Sequence, residues 1–432
     1  MKSNTILLSL NEINFDFISF YIDKGMLPNF NKLFKIQKPI ETTSEDEYHL
    51  LEPWIQWVSV NTGKSFSEHN IFRLGDIEDN PKLLQIFEEI EMKGYKVGAI
   101  SPFNTNNKLK NPAFFIPDPW TNTIVSGNWL IKLLYKAIRQ AVNDNASEKL
   151  NFVSLISLAL GFLYSVPINR WSHYVKLIFR LKKPASKAII FDSLLTDLFF
   201  KLSDKHNTDF SNLFLNAGAH IQHHYFFNSK AYKGSFTNPN WYCPTDYDPL
   251  LKILIEYDNT IGRILKKTNT KLLVATGLHQ VPHEKTTYYW RIKNHNNFIK
   301  ILGINDFTSV IPRMSRDFLI KFKDYNHANY AENILNSFYD TKNNLKIFSV
   351  NNRKDSLFVE FIYSKDISEF DTMYSKINDL KYTLKPHLSF ISIKNGEHNG
   401  VGYLTSNFDL ESADRIPLTD VNLLIKKSVF LN

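Results

Sequence analysis

The sequence predicts an α/β fold: a central, mostly parallel sheet flanked by helices, interrupted by a helical insertion and by a small α+β insertion. Three observations predict it. Apolar runs of strand length, TILLSL at 5–10, the run at 209–218 and KLLVAT at 271–276, each stop on polar residues, as strands buried on both faces do. Between them lie stretches with helical spacing, FDFISFYIDKG, KLLQIFEEIEMKGYK and LLKILIEYDNTIGRILKKT, the alternation of a sheet covered by helices. Finally, histidines and carboxylates collect just beyond the apolar runs, at the carboxyl edge where such sheets carry their sites.

Taken in order, TILLSL is the opening strand, and Gly25 with Pro28 stops the helix that follows it. WIQWVSV is a buried helix or strand, entered through Glu52-Pro53 and left at Thr62-Gly63. The 82–100 segment is an amphipathic helix, a glycine turn and another strand, and SPFNTNNKLKNPAFFIPDPW is an irregular loop suited to covering a site. Residues 126–204 form the helical insertion and 311–390 the small α+β subdomain, leaving 1–125, 205–310 and 391–432 as the core. IPLTDVNLLIKKSVFL closes the chain as a helix.

Composition excludes several classes. The 43% hydrophobic and 22% charged content is that of a globular chain. A single cysteine, Cys243, rules out a disulfide framework and a cysteine-based zinc finger, so a metal must sit on histidines and carboxylates. The opening MKSNTILLSL lacks a signal-peptide cleavage pattern, so the chain is expected to begin at Met1 and to act in the cytoplasm.

The net charge of +8 is unevenly placed: Lys149–Phe191 holds seven of the 51 basic residues and none of the 43 acidic ones. That confinement, with no stacking module in view, argues against nucleic acid as a partner. The uncharged stretch 150–169 is diluted by Ser154, Ser157, Gly161, Ser165 and Pro167, which suits a buried or interfacial hairpin better than a membrane span. A basic, aromatic helix beside it fits docking of 149–191 on an anionic membrane surface, peripheral at the inner face; a solvated basic face is the alternative.

The stretch with the most chemistry is 213–227, LFLNAGAHIQHHYFF. If it is helical after Ala219, His220 and His224 stand one turn apart on one face, the spacing two ligands of one cation need, with His223 pointing elsewhere. A purely structural or surface role is the other reading of these rings. Glu12 follows the opening strand, and Glu52 stands at a helix N-terminus near the sheet edge, where a carboxylate is also favourable for the helix alone. His279 and His283 fall in a proline-containing loop after KLLVAT, and His398 lies between glycines in KNGEHNGVGYLTS.

Six segments in order, LLSLNEINFDFISFYIDKGMLPNFNKL, VSVNTGKSFSEHNIF, AHIQHHYF, KLLVATGLHQ, GEHNGVGYL and IPLTDV, resemble the alkaline-phosphatase-like superfamily, in particular its type I phosphodiesterase/nucleotide pyrophosphatase branch. The resemblance spans the chain except roughly 120–205 and 315–390 and implies an alkaline-phosphatase-like sheet, divalent metal ions and an anionic ester substrate. It also has departures. Asn11 stands where the family has a metal-binding Asp, Glu52-Pro53 where it has its nucleophile, and Thr276-Gly277 where it has an Asp-His pair. One metal site and the nucleophile are therefore missing.

The second set is present in altered form, the family's Asp falling on His220 and its two histidines on His224 and His398. Three imidazoles with an open fourth position form a sound catalytic zinc site. The resemblance thus implies one divalent ion, zinc, on His220, His224 and His398, with His279 as reserve ligand and Glu12 or Glu52 as general base or acid. His220→Ala is expected to release that ion. The function expected is a metal-dependent hydrolase or transferase acting on a phosphate, phosphodiester or sulfate ester, on a membrane- or glycan-linked substrate. The alternative is a degenerate, phosphatase-like binding or scaffold protein.

Overall fold

The computed structural model describes residues 4–143, 152–312, 316–377 and 380–431. Met1, Lys149 and residues 313–315 of the RMSRDFLIKF segment lie outside them. Two compact units emerge, Met1–Pro282 with Gly396–Asn432, and His283–Asn395.

The first unit runs β1 (Asn4–Leu10), α1 (Phe15–Asp23), α2 (Pro28–Ile36), β2 (Ile40–Thr43), α3 (Pro53–Thr62), α4 (Phe66–His69), α5 (Ile86–Met92), β3 (Val97–Ile100) and β4 (Phe114–Ile116). The helical insertion follows as α6 (Trp129–Asn143), α7 (Phe152–Ser165), α8 (Trp171–Ile178) and α9 (Ser186–His206). Then come β5 (Phe210–Leu215), α10 (Ala217–Tyr225), α11 (Pro249–Leu265) and β6 (Thr270–Ala275). The chain leaves along β7 (His279–Ile292).

The second unit contains α12 (His295–Ile301), β8 (Ser309–Pro312), β9 (Asp317–Lys321), α13 (Tyr325–Asn336), β10 (Phe338–Asp340), β11 (Phe348–Asn352), β12 (Ser356–Phe361), β13 (Thr372–Ser375) and β14 (Lys381–Thr383). The return is along β15 (Leu388–Asn399), and β16 (Val401–Ser406), β17 (Arg415–Pro417) and α14 (Asp420–Phe430) complete the first unit.

One eight-stranded sheet of order β17-β2-β16-β6-β1-β5-β3-β4 organises the first unit. Strands β6, β1, β5, β3 and β4 are mutually parallel, while β16 runs antiparallel to β6 and β2. β1 is buried along almost its whole length because both its faces are covered. Ile6, Leu8 and Leu10 enter the core shared with α1, α2, α9 and α11, and Leu7 enters the core shared with α3, α5 and α14. Each such leucine contributes roughly 1.5–3 kcal/mol.

Register then places the polar residues. Leu10 pairs with Leu215 and Ser9 with Ala275, so the three central strands end level and Asn11, Asn216 and Thr276 emerge at one carboxyl edge.

The second unit has its own core of Trp290, Phe298, Phe318, Phe348 and Leu357 beneath a four-stranded antiparallel sheet, β11-β12-β9-β8. It begins at His283 rather than at 311, because Trp290 and Ile292 of β7 and Phe298 and Ile299 of α12 pack into that core. For the same reason His279 and His283 lie in a strand, not in the loop expected of them.

WIQWVSV is helical. Pro53 occupies its first turn, where a missing N–H costs nothing, and Gly63 ends it at φ 67° in the left-handed conformation. The irregular loop after β3 braces this helix, with Asn104 Nδ2 donating to the Trp54 carbonyl (2.8 Å) and Asn61 Nδ2 to Thr105 Oγ1 (3.1 Å).

The insertion is tied to the sheet through α9. Asp192 Oδ2 accepts the Ala217 amide (2.9 Å) at the start of α10 and the Tyr257 hydroxyl (2.7 Å) of α11. Burial pushes the Asp192 carboxyl up to about 7, the hydrogen bonds from Tyr257 and from the Ala217 and Asn216 backbone only partly offsetting it. A folded-state pKa above the unfolded one means the native state holds the proton longer. This carboxyl's stability contribution is therefore full below the unfolded carboxylate pKa and is lost as pH rises through about 7. Asp192→Asn should flatten that part of the melting-temperature profile; an unchanged wild-type-minus-variant difference from pH 4 to 7.5 would contradict it.

Candidate metal centre

Glu12 sits at the head of β1 with φ 59°, in the left-handed region, which costs a non-glycine residue about 1–2 kcal/mol. Its backbone is held on both sides. The Glu12 amide donates to the Thr276 carbonyl (3.0 Å), and the Glu12 carbonyl accepts from the Gln280 amide (3.1 Å) and from Gln222 Nε2 (2.6 Å). A strained, over-determined backbone that presents a carboxylate is a mark of a functional position.

That carboxylate is only 2% exposed. Oε1 accepts from Asn11 Nδ2 (2.9 Å), and Oε2 accepts from Gln280 Nε2. His223 Nε2 stands 3.1 Å from Oε2 and His398 Nε2 3.2 Å from the same oxygen. Glu52, the N-cap residue of α3, reaches the other ring nitrogen of His398, Oε2 to Nδ1 at 3.6 Å.

Burial would raise the Glu12 carboxyl, but His398 and His223 outweigh it and hold it well below the usual carboxylate range. Burial likewise works against a charged His398, and Glu12, then Glu52, reverse this and raise its pKa. The proton that His398 keeps must leave when a cation takes its place.

The residues present fit a divalent cation. One ligand atom each from Glu12, His223 and His398 lies within 4.8 Å of the others. Ligands held at about 2.0–2.2 Å in a tetrahedron stand roughly 3.3 Å apart, close to the 3.1 and 3.2 Å separations here. His398 Nε2 is buried without a well-directed hydrogen bond despite its nearness to Glu12, as a nitrogen aimed at a shared centre would be. One carboxylate and two imidazoles are the protein ligands of a catalytic zinc set.

The helix of α10 brings His220 and His224 together as its spacing predicts, with ring centroids 4.7 Å apart. They do not join His398 in a three-ligand group among the described residues. The ring that points elsewhere, His223, is the one that meets His398, centroid to centroid 5.1 Å. The expected set of three imidazoles, with its consequence for His220→Ala, is thus replaced geometrically by Glu12, His223 and His398. A helix turn of about 100° per residue carries His223 off the 220/224 face and toward the strand end. His279 stays outside the group, its Nδ1 held by the Val401 carbonyl at 2.6 Å and its ring against Tyr403.

The structure also shows what stands where the resemblance places the missing site. Trp57, 2% exposed, donates from Nε1 to Asn11 Oδ1 (2.7 Å). A Cβ on Gly277 would come within 3.0 Å of that same Nε1, and Gly277 has φ +74°. The indole therefore fills the space between Asn11 and Thr276-Gly277. Helix α3 supplies both elements, Glu52 from its N-terminus and Trp57 from its second turn.

No protein-family model and no curated protein matches the chain. Solved structures do. Phosphonoacetate hydrolase from Sinorhizobium meliloti, in complex with phosphonoacetate, aligns with 99% of this chain and 96% of its own at 12% identity and a TM-score of 0.41. Murine ectonucleotide pyrophosphatase/phosphodiesterase 5 aligns with 99% and 95% at 10% identity and 0.43. The alkaline phosphatase of an Antarctic bacterium aligns with 99% and 98% at 13% identity and 0.41. Identity this low and superposition this loose leave the chemistry to be read from the side chains themselves.

Proposed function

We propose that this chain is a single-metal hydrolase or transferase acting on a phosphate, phosphodiester or sulfate ester. The observation that carries this reading is the convergence of Glu12, His223 and His398 on one point at the carboxyl edge of the sheet. A zinc-like ion bound there supplies Lewis acidity, polarising the ester and making a water or hydroxyl easier to deprotonate.

The chain's own residues do the rest. Asn11 and Gln280 fix the Glu12 carboxylate in place. Glu52, part-exposed beside His398, takes the proton from the attacking hydroxyl and returns one to the leaving oxygen. An ester carried on a lipid or a glycan is the substrate form this reading favours, because the basic segment of the insertion would hold such an anion nearby.

The test is a panel of phosphate mono- and diesters and sulfate esters, with an acceptor alcohol present, offered to zinc- or manganese-loaded protein. Turnover that a chelator abolishes and metal restores is expected. Glu52→Gln should lower kcat on the order of a hundred-fold or more and remove one limb of the pH–rate profile while leaving metal content intact. Activity indifferent to chelation contradicts the reading. The filling of the second site by Trp57 favours one other reading, a metal-binding but non-catalytic protein, which predicts stoichiometric metal and no turnover on any ester.

A further inference from the structure

Helix α7 is built inside out for a helix in water. Its buried positions are Ser154, Ser157, Gly161 and Ser165, and a Cβ on Gly161 would stand 2.5 Å from Leu134 Cδ1 of α6. Its outward positions are large and apolar, with Phe152 76% exposed. The short link after it exposes Ile168 (83%), and the end of α8 exposes Phe179 (86%). A soluble helix turns its apolar stripe to the core; here small polar residues serve packing and the apolar stripe is left outside. Contiguous apolar surface of this kind marks an interaction site.

The same segment carries Lys176, Arg180, Lys182, Lys183 and Lys187, all exposed. No described acidic residue lies between Phe152 and Phe191. At 14 residues α7 is about 21 Å long, short of the roughly 30 Å hydrocarbon core. No single described helix is long and apolar enough to cross a membrane, and α7 and the segment Ile168–Ile178 meet at a 110° bend.

We propose that this bent pair is an interfacial anchor that sinks its apolar edge into a bilayer bearing anionic lipid, such as the inner face of a cell membrane. Apolar side chains enter the acyl boundary while the lysines and arginine meet the headgroups, the division of labour of an in-plane membrane helix. A second copy is the poorer occupant, because a two-fold contact through this segment would set its basic residues against their own copies. The anchor follows from exposure and charge and does not depend on the catalytic reading.

Flotation of the full chain with phosphatidylglycerol-containing and with pure phosphatidylcholine vesicles tests it. Partitioning into the anionic vesicles, weakened by salt, is expected, with a loss of roughly five-fold for each basic residue removed in Lys182→Glu/Lys183→Glu/Lys187→Glu. Ile168→Ser/Phe179→Ser should release the protein as well, with circular dichroism and metal content unchanged in both variants. Equal partitioning into neutral and anionic vesicles, no partitioning, or variants that bind like wild type would overturn the anchor. So would self-association in solution that the same variants abolish. None of these results bears on metal binding by Glu12, His223 and His398.

Discussion

His223→Ala is expected to lose the bound ion and to cut turnover on the order of a thousand-fold, whereas His224→Ala leaves both within about three-fold. The two residues are neighbours on one helix, and the difference lies wholly in where their rings point. His223 Nε2 stands 3.1 Å from Glu12 Oε2, while the His224 ring lies against His220. Lewis acidity at the reacting oxygen is worth several kcal/mol, and each 1.36 kcal/mol is ten-fold in rate. Alanine is the best helix former and His223 is only half-buried, so α10 should persist and the loss can be read as loss of the site. Zinc content by mass spectrometry and kcat on the best ester decide it. Equal losses in the two variants would place the ligands on the other face of the helix.

Trp57→Ala should destabilise the first unit by about 3–5 kcal/mol, the range for deleting a buried aromatic side chain. The indole packs edge-on to Phe214, with centroids 5.2 Å apart, and its N–H is a donor to Asn11 Oδ1. Removing it opens a cavity beside Gly277 and takes a partner from a buried amide that also holds Glu12. Trp57→Phe keeps most of the volume and loses the hydrogen bond, and should cost nearer 1–2 kcal/mol. Denaturant midpoints at constant slope measure both. A Trp57→Ala cost below 1 kcal/mol would mean that the indole does not fill the space where the resemblance places the second metal site.

Much of this was legible in the residues. The runs TILLSL and KLLVAT became the paired central strands because a strand covered on both faces reads as a near-continuous apolar run, and the few polar side chains in TILLSL, Thr5 and Ser9, are buried with hydrogen-bond partners. Glu52-Pro53 became a helix start because proline there forfeits no hydrogen bond. Glu12, Glu52 and His398 were legible as polar residues beyond apolar runs, and the structure brings them together.

The ligand assignment was less legible, for a definite physical reason. Spacing says which residues share a helix face, and His220 and His224 do; it does not say which face looks at the strand end. That depends on how α10 is rolled, which is set by distant contacts. Gly218 lies against Ile13 and Tyr257, where a Cβ would reach 2.3 Å from Ile13 Cδ1, and Gln222 is clamped between Asn14 and the Glu12 carbonyl. Trp57 gave no local sign at all, because an indole in an apolar helix reads as core until Asn11 and Gly277 are seen beside it.

X-ray absorption at the metal edge, on protein reconstituted with zinc and dialysed, tests the central claim most directly. One ion per chain with a first shell of two imidazole nitrogens and oxygen ligands, lost in His398→Ala, is the result expected. Two ions per chain, a shell of three imidazoles, or no tightly held ion would contradict it.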